Sequence, residues 1–131
     1  MKNKLTYLID DDKLSVKLVS LLLQKNDFCE EIQSFHNPLI ALDNFKKKIK
    51  ADEYLPDVVL LDLNMPVMDG WQFLDEFIDL PLQKKISVFI LTSSIDPFDI
   101  EMAKNYPLVK SYIMKPITYE KLEAINQLLN R

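Results

Sequence analysis

Residues 57–61 read DVVLL and are followed directly by an aspartate. Four consecutive apolar side chains in so short a run are typical of a strand that is buried on both faces of a sheet. Residues 5–9 (LTYLI) and 86–91 (ISVFIL) have the same character. Residues 29–34 (CEEIQS) and 110–114 (KSYIM) are more polar, as edge strands can be. We therefore predict five strands, of which the three apolar ones are central.

Helical patterns separate these strands along the whole chain. Residues 14, 18, 19, 22 and 23 are apolar and have the spacing of one helix face. An Asn or Asp followed by proline marks two further helix starts, at 37–38 and 96–97, because the polar side chain caps the first turn and proline fits it. The predicted helices span residues 13–26, 38–50, 70–78, 97–104 and 118–130.

Strict alternation of strand and helix predicts one α/β domain over residues 1–131. Such a chain forms a parallel sheet that is covered by helices on both faces. Right-handed crossovers, with the two polar strands outside, give the strand order 2-1-3-4-5 of a flavodoxin-like, doubly wound sheet. In that fold ligands bind beyond the carboxyl ends of the strands, between the first and third strands.

Polar side chains follow the predicted strands at this edge. Three aspartates (residues 10–12) follow the first strand, Asp62 the third, Thr92 the fourth and Lys115 the fifth. Neighbouring strands lie about 4.8 Å apart, so these groups are close together. Two carboxylates about 4 Å apart repel by roughly 4 kcal/mol at an effective dielectric constant near 20. The cluster therefore predicts a cation, and oxygen ligands favour Mg²⁺.

Composition excludes several other classes of function. The single glycine, Gly70, excludes both a P-loop and a dinucleotide-binding fingerprint. One cysteine and one histidine exclude a disulfide framework and a zinc site. A net charge of −4 argues against direct binding of nucleic acid, and no apolar run approaches the ~20 residues of a membrane span. We expect a cytoplasmic protein in which Asp69 caps the third helix and Gly70 supplies backbone freedom.

Four motifs follow the predicted strands in order: LIDDD (8–12), LLDLNMPVMDG (60–70), ILTSS (90–94) and YIMKP (112–116). In these motifs the chain resembles, from about residue 4 to residue 129, the receiver domain of two-component response regulators. The resemblance is to the single-domain, chemotaxis-type members of that family. Each motif is weak alone, but four in the right order at strand ends are specific.

The resemblance implies a role for each residue at this edge. Asp62 corresponds to the phosphoacceptor, which forms an aspartyl phosphate. Asp10 and Asp11 correspond to the acidic pair that holds Mg²⁺ together with Asp62 and the backbone carbonyl of Asn64. Lys115 corresponds to the lysine that pairs with Asp62 and then with the phosphoryl oxygens.

The same resemblance implies how the signal leaves the site. Thr92 would bond to the phosphoryl group, and Tyr112 would be the aromatic switch whose ring turns inward in response. The changed surface would comprise the fourth helix, fifth strand and fifth helix, with Met102 and Tyr106 among its docking groups. The Lys115–Pro116 peptide bond is expected to be cis.

The implied partners are a sensor histidine kinase or histidine phosphotransfer protein, a downstream effector protein, and a second copy in a phosphorylation-dependent dimer. The chain would not be an enzyme beyond intrinsic self-phosphorylation and autodephosphorylation. One alternative is a haloacid-dehalogenase-type phosphatase, but its nucleophile lies in a DxDx motif, whereas residues 10–12 are contiguous aspartates. Another is a pseudo-receiver that only binds partners, which would lack a site residue.

Overall fold

The computed structural model describes residues 3–129, and its five strands form one parallel sheet in the predicted order, β2-β1-β3-β4-β5. The strands are β1 (Asn3–Ile9), β2 (Cys29–Phe35), β3 (Val58–Leu61), β4 (Ser87–Thr92) and β5 (Val109–Met114). The helices are α1 (Lys13–Lys25), α2 (Pro38–Ala51), α3 (Gly70–Phe77), α4 (Pro97–Met102) and α5 (Tyr119–Leu129). The predicted last residue of α5, Asn130, lies outside the described residues. Within them, no helix is both long and apolar enough to cross a membrane.

Alternating side chains of the sheet divide the interior into two cores. Tyr7 faces the side of α2 and α3, where its ring packs 4.8 Å from Phe35 and 5.1 Å from Phe45. Leu8, the next residue along β1, faces the side of α1 and α5 and packs in a core with Phe89. Because successive side chains of a strand point to opposite faces, apolar residues must be consecutive in the central strands, as the sequence shows.

The fourth helix is shorter than predicted. It ends at Met102, and residues 103–105 form a 3-10 turn that leads to Tyr106. The expectation that Tyr106 belongs to an exposed docking surface is wrong, because its ring stacks on Trp71 at 5.3 Å and its hydroxyl donates to Asp75 at 2.7 Å. Met102 is only partly exposed and packs against the same core. The side chain of Phe98, 63% exposed, is available on this helix instead.

The start of α3 explains the single glycine. Asp69 caps this helix as predicted, and Gln72 completes a reciprocal capping box. Gly70, however, has no positive φ, so the expected need for backbone freedom is wrong. A Cβ at this position would lie 2.8 Å from the carbonyl oxygen of Asp62 and 2.8 Å from Leu63 Cδ2. Glycine therefore lets α3 pack directly against the chain that carries Asp62.

Asp57 accepts several hydrogen bonds at the opposite edge of the sheet, where the amino ends of the strands lie. Its Oδ2 accepts hydrogen bonds from the backbone amides of Lys4 (2.9 Å) and Leu5 (3.2 Å). Its Oδ1 lies 2.6 Å from Lys84 Nζ, and the Tyr54 hydroxyl donates to the same carboxylate at 3.0 Å. Burial alone raises the pKa of Asp57, but these donors outweigh it, so the pKa lies below its usual value.

We predict that Asp57→Asn lowers the free energy of unfolding at pH 7 by about 1–3 kcal/mol, because charged acceptors make the stronger hydrogen bonds. The stabilisation from an acid whose folded pKa is lowered is present above the unfolded pKa, near 3.9, and is lost as the pH falls through the folded pKa. Denaturant unfolding from pH 7 to pH 3 should therefore show the two proteins converging only below about pH 4.

Asp43→Asn is the matched control for that measurement. Asp43 pairs with Lys47 at 2.9 Å on the surface of α2, and both side chains are well exposed. An exposed pair of this kind contributes little, so this variant should unfold like the wild type. Equal losses in the two variants, or no loss in Asp57→Asn, would contradict the structural role of Asp57.

Candidate functional site

The pairing of β1 with β3 brings the two main carboxylates together. Ile9 lies opposite Leu61 in the sheet, so the residues that follow them, Asp10 and Asp62, leave neighbouring strands at the same level. The Asp62 amide still donates to the Ile9 carbonyl at 2.9 Å, which fixes its position. Asp10 is 6% exposed and Asp62 5% exposed, although both are carboxylates. Aspartate side chains are rarely buried, so these two need partners that compensate their negative charge.

Three carboxylates form a group that can hold a metal ion. Oxygen atoms of Asp10, Asp11 and Asp62 all lie within 4.8 Å of one another. Asp11 is exposed, whereas the other two are buried, so the group opens to solvent on one side. An all-oxygen set with room for water fits Mg²⁺. Asp12 serves a different purpose, because its Oδ1 accepts from the Leu14 amide at 3.0 Å and caps α1.

Lys115 reaches the carboxylates from the end of β5. Its Nζ lies 2.7 Å from Asp10 Oδ2 and 3.4 Å from Asp62 Oδ2. The predicted pairing with Asp62 is therefore present but is the longer of the two contacts. The Lys115–Pro116 peptide bond is cis, as expected, and the Lys115 amide donates to the Thr92 carbonyl at 2.8 Å. One ammonium group thus partly neutralises two buried acids.

The electrostatics of Asp62 reflect this crowding. Burial raises the pKa of Asp62, and the charge of Asp10 raises it further. A hydrogen bond from the Thr92 hydroxyl and the charge of Lys115 lower it, but the net pKa is raised. For Lys115, burial lowers the pKa, yet the contacts with Asp10 and Asp62 outweigh burial, so its pKa is raised and the ammonium form is favoured.

The two residues that are predicted to relay the signal, Thr92 and Tyr112, both form hydrogen bonds with Ser94. The Thr92 side chain is fully buried, and its hydroxyl accepts a hydrogen bond from the Ser94 amide at 3.3 Å. The partly buried Tyr112 donates its hydroxyl to the Ser94 carbonyl at 2.9 Å. The Asn64 amide lies 3.4 Å from Asp62 Oδ1, and the role of its carbonyl as a metal ligand stays a prediction. The structure therefore brings all the predicted site residues to one edge.

Sequence reasoning missed a carboxylate next to this group. Asp99 of α4 accepts hydrogen bonds from the Ser94 hydroxyl at 2.6 Å and from the Trp71 indole at 2.9 Å. A buried indole N–H does require an acceptor. The sequence nevertheless gives no signal that pairs Trp71 with a residue 28 positions further along the chain.

We predict that Asp62→Asn raises the melting temperature of the metal-free protein at pH 7 by a few degrees, equivalent to about 1 kcal/mol. The reason is that an acid with a raised folded pKa destabilises the fold wherever it is ionised, and this cost disappears as the pH falls below the unfolded pKa. Thermal unfolding from pH 7 to pH 4 should show the difference shrinking. A lower melting temperature of the variant at pH 7 would contradict the crowding of charge.

Comparison with known proteins gives the same picture as the site geometry. The chain is 31% identical to a two-component response regulator from Cytophaga hutchinsonii, whose crystal structure matches with a TM-score of 0.87 over 100% of both chains. It is 30% identical to the chemotaxis protein CheY of Bacillus subtilis, over 94% of this chain and 95% of that relative. It is also similar to the Mn²⁺-bound response regulator Rcp1 (28% identity, TM-score 0.74, 95% and 89% coverage).

The family model of the response regulator receiver domain matches residues 6–127. Receiver domains are phosphorylation-dependent signalling switches that bind Mg²⁺ in an acidic pocket. The match leaves no support for the dehalogenase-type alternative, whose nucleophile lies at the end of the first strand. The strand order of the sheet and the aspartate cluster with Lys115 at its edge agree with this result. The chain belongs to the response regulator receiver domain family.

Proposed function

We propose that Asp62 accepts a phosphoryl group from the phosphohistidine of a sensor histidine kinase or a histidine phosphotransfer protein. The observation that carries this proposal is the position of Lys115 Nζ, 2.7 Å from Asp10 and 3.4 Å from Asp62, beside three carboxylates within 4.8 Å of one another. An ammonium group and a cation site next to one buried carboxylate suit the transfer of an anionic group.

The transfer is a single displacement at phosphorus. A carboxylate oxygen of Asp62 forms the new O–P bond while the N–P bond of the phosphohistidine breaks. The electron pair of the broken bond returns to the imidazole nitrogen, and the ring leaves as neutral histidine because a proton taken up from water is carried on its other nitrogen. The chain therefore acts as a phosphoacceptor, with intrinsic self-phosphorylation and autodephosphorylation, and not as an enzyme for a separate substrate.

Two groups of the chain, together with a bound cation, would stabilise the charge of the transferring phosphoryl group. Mg²⁺, held by Asp10, Asp11, Asp62 and the Asn64 carbonyl, supplies positive charge at the phosphoryl oxygens when bound. Lys115 is poised between the two buried acids and can turn its ammonium group to a phosphoryl oxygen. The Thr92 hydroxyl lies near enough to Asp62 to lower its pKa, so it is placed to bond to a phosphoryl oxygen there.

The signal would leave through α4, β5 and α5. A shift of the Thr92 hydroxyl changes its bond to the Ser94 amide, and the Ser94 carbonyl holds the Tyr112 hydroxyl. Two discrete positions of the Tyr112 ring would then give two surfaces. Exposed apolar side chains lie on these elements, among them Phe98 and Tyr119. We propose that a downstream effector protein, or a second copy in a phosphorylation-dependent dimer, binds this surface.

An exposed apolar surface on α1 lies beside the site and could bind the protein that donates the phosphoryl group. Leu14, Leu18 and Leu21 are all more than half exposed, and their spacing places them on one face of α1. Leu14 and Leu18 line a groove with Lys115 and Ile117. Exposed apolar groups beside a reactive side chain are suited to docking of a protein donor. We propose this leucine stripe as the docking surface for the phosphohistidine protein.

Intact-mass spectrometry with acetyl phosphate tests the acceptor role. We expect the wild-type protein to gain the mass of one phosphoryl group in the presence of Mg²⁺ and to gain none when the metal is chelated. Asp11→Ala should lose most of the labelling, because it removes the exposed carboxylate of the metal group. Asp62→Asn should lose all of it.

Asp43→Asn serves again as the control, since it removes a carboxylate from the surface of α2. It should be labelled like the wild type. No mass gain in the wild-type protein, with the fold intact, would support the pseudo-receiver alternative and contradict the proposed function.

A second experiment separates docking from chemistry. Leu18→Lys places a charge in the middle of the leucine stripe, and we expect transfer from a phosphorylated histidine kinase to fall about tenfold or more, as for a buried interface side chain. Labelling by acetyl phosphate should be unchanged, because this small donor needs no docking surface.

Leu39→Lys is the matched control, as Leu39 is an exposed leucine of α2 on the other side of the sheet. It should receive the phosphoryl group from the kinase at the wild-type rate. Equal rates for the Leu18 and Leu39 variants would rule out the stripe as the docking surface.

A further inference from the structure

Ser94 is a junction of hydrogen bonds in the loop between β4 and α4. Its amide donates to Thr92 Oγ1 at 3.3 Å, and its carbonyl accepts from the Tyr112 hydroxyl at 2.9 Å. Its own hydroxyl donates to Asp99 Oδ2 at 2.6 Å and accepts from the Asp96 amide at 3.3 Å. The two relay residues of the proposed function therefore both depend on the position of this one residue.

Asp99 links Ser94 to a fixed part of the molecule. Its second carboxylate oxygen accepts the indole N–H of Trp71 at 2.9 Å. Trp71 is only 8% exposed and belongs to α3, which packs directly on the chain that carries Asp62. A single carboxylate thus joins α3, α4 and the loop after β4, three segments that are separate in the sequence.

The indole that anchors Asp99 is itself held in place. Its ring stacks on the ring of Tyr106 with centroids 5.3 Å apart and planes 19° from parallel. The Tyr106 hydroxyl donates to Asp75, also on α3, at 2.7 Å. Rotation of the indole would therefore break a stacking contact and displace a buried tyrosine. Asp99 has a rigid anchor on one side and the Ser94 loop on the other.

The single hydrogen of the Thr92 hydroxyl limits the hydrogen bonds that this group can donate. A threonine hydroxyl has one hydrogen to donate and lone pairs to accept with. When a lone pair accepts from the Ser94 amide, the single hydrogen remains free to point toward Asp62, whose pKa the nearby Thr92 hydroxyl lowers. A loop that moves by an ångström would lose this alignment, and small misplacements of this size slow reactions markedly.

We propose that Asp99 is a positioning residue: by holding Ser94 against the Trp71 indole, it aligns the Thr92 hydroxyl with Asp62 for phosphoryl transfer. This inference rests on the proposed function of Asp62, and it adds a residue that touches neither the phosphoryl group nor the metal. It also makes Trp71 a spectroscopic reporter of the loop, as it is the only tryptophan in the sequence.

Three variants test the inference by their rates of labelling with acetyl phosphate and Mg²⁺. Ser94→Ala removes the hydroxyl that Asp99 accepts from but keeps the amide and carbonyl of the loop, and it should be labelled roughly two- to tenfold more slowly, the effect of one hydrogen bond. Asp99→Ala should be slowed at least as much. Asp99→Asn should be close to the wild type, because its oxygen can still accept from the indole and its amide can donate to the Ser94 hydroxyl.

The control is Glu101→Ala, which removes a carboxylate from the same helix. Glu101 contacts Lys104 at 3.2 Å on the exposed surface, so this variant should be labelled at the wild-type rate. The fluorescence emission of Trp71 provides a second measurement, which general destabilisation of the fold would not change in the same way. In folded Ser94→Ala and Asp99→Ala, the emission change of the wild type on adding beryllofluoride with Mg²⁺ should be reduced, and in Asp99→Asn it should be retained.

The results of these experiments distinguish the positioning role of Asp99 from the phosphoacceptor role of Asp62. Wild-type rates in folded Ser94→Ala and Asp99→Ala would overturn the positioning role and leave the phosphoacceptor role of Asp62 intact. A rate in Asp99→Asn as low as in Asp99→Ala would also overturn it, since the charge and not the alignment would then matter. Failure of the wild-type protein itself to be labelled would overturn both proposals.

Discussion

Repulsion among three carboxylates at the carboxyl edge of the sheet governs the electrostatics of the site. Asp10 and Asp62 are buried at the ends of neighbouring strands, with Asp11 beside them at the surface. No side-chain N or O atom that is buried among the described residues lacks a hydrogen-bond partner. Lys115 satisfies part of the negative charge, and the remainder creates the need for a cation. The proposed metal binding and phosphoryl transfer would both depend on this unfavourable packing.

The partly exposed Asp57 and the buried Asp62, at opposite edges of the sheet, have pKa values that are shifted in opposite directions. At the amino edge, Asp57 has four donors around it, and its pKa is lowered. At the carboxyl edge, Asp62 is buried and has a like charge beside it, and its pKa is raised. One carboxylate therefore stabilises the fold at neutral pH, while the other carries a cost that a bound metal ion can relieve. This difference separates the structural acid Asp57 from Asp62, the phosphoacceptor of the proposed function.

Much of the fold could be predicted from the sequence because its signals are local. The apolar runs, the caps at Asn37 and Asp96 and the strict alternation of elements determine a parallel sheet and its order. The grouping of Asp62 with Lys115 also followed, since strand ends in a parallel sheet share an edge. The family resemblance then supplied roles that spacing alone does not give.

The rest could not be predicted because it depends on contacts between distant residues. The burial of Tyr106 requires a partner ring 35 positions earlier in the chain, at Trp71. The contact of Asp99 with that indole has the same origin. The closeness of Gly70 to Asp62 depends on how α3 docks, and the positive φ of Val67 is unusual for a β-branched residue. Neither propensity nor periodicity encodes such features.

We propose that Asp62, whose buried carboxylate shares the Lys115 ammonium group with Asp10, is the residue that carries the phosphoryl group. The most direct measurement is to treat the protein with acetyl phosphate and Mg²⁺, reduce the acyl phosphate with borohydride, and locate the resulting homoserine by peptide mass spectrometry. We expect homoserine at position 62 alone. Homoserine at position 10 or 11, or a stable phosphoester on Ser93 or Ser94 with none at position 62, would contradict it.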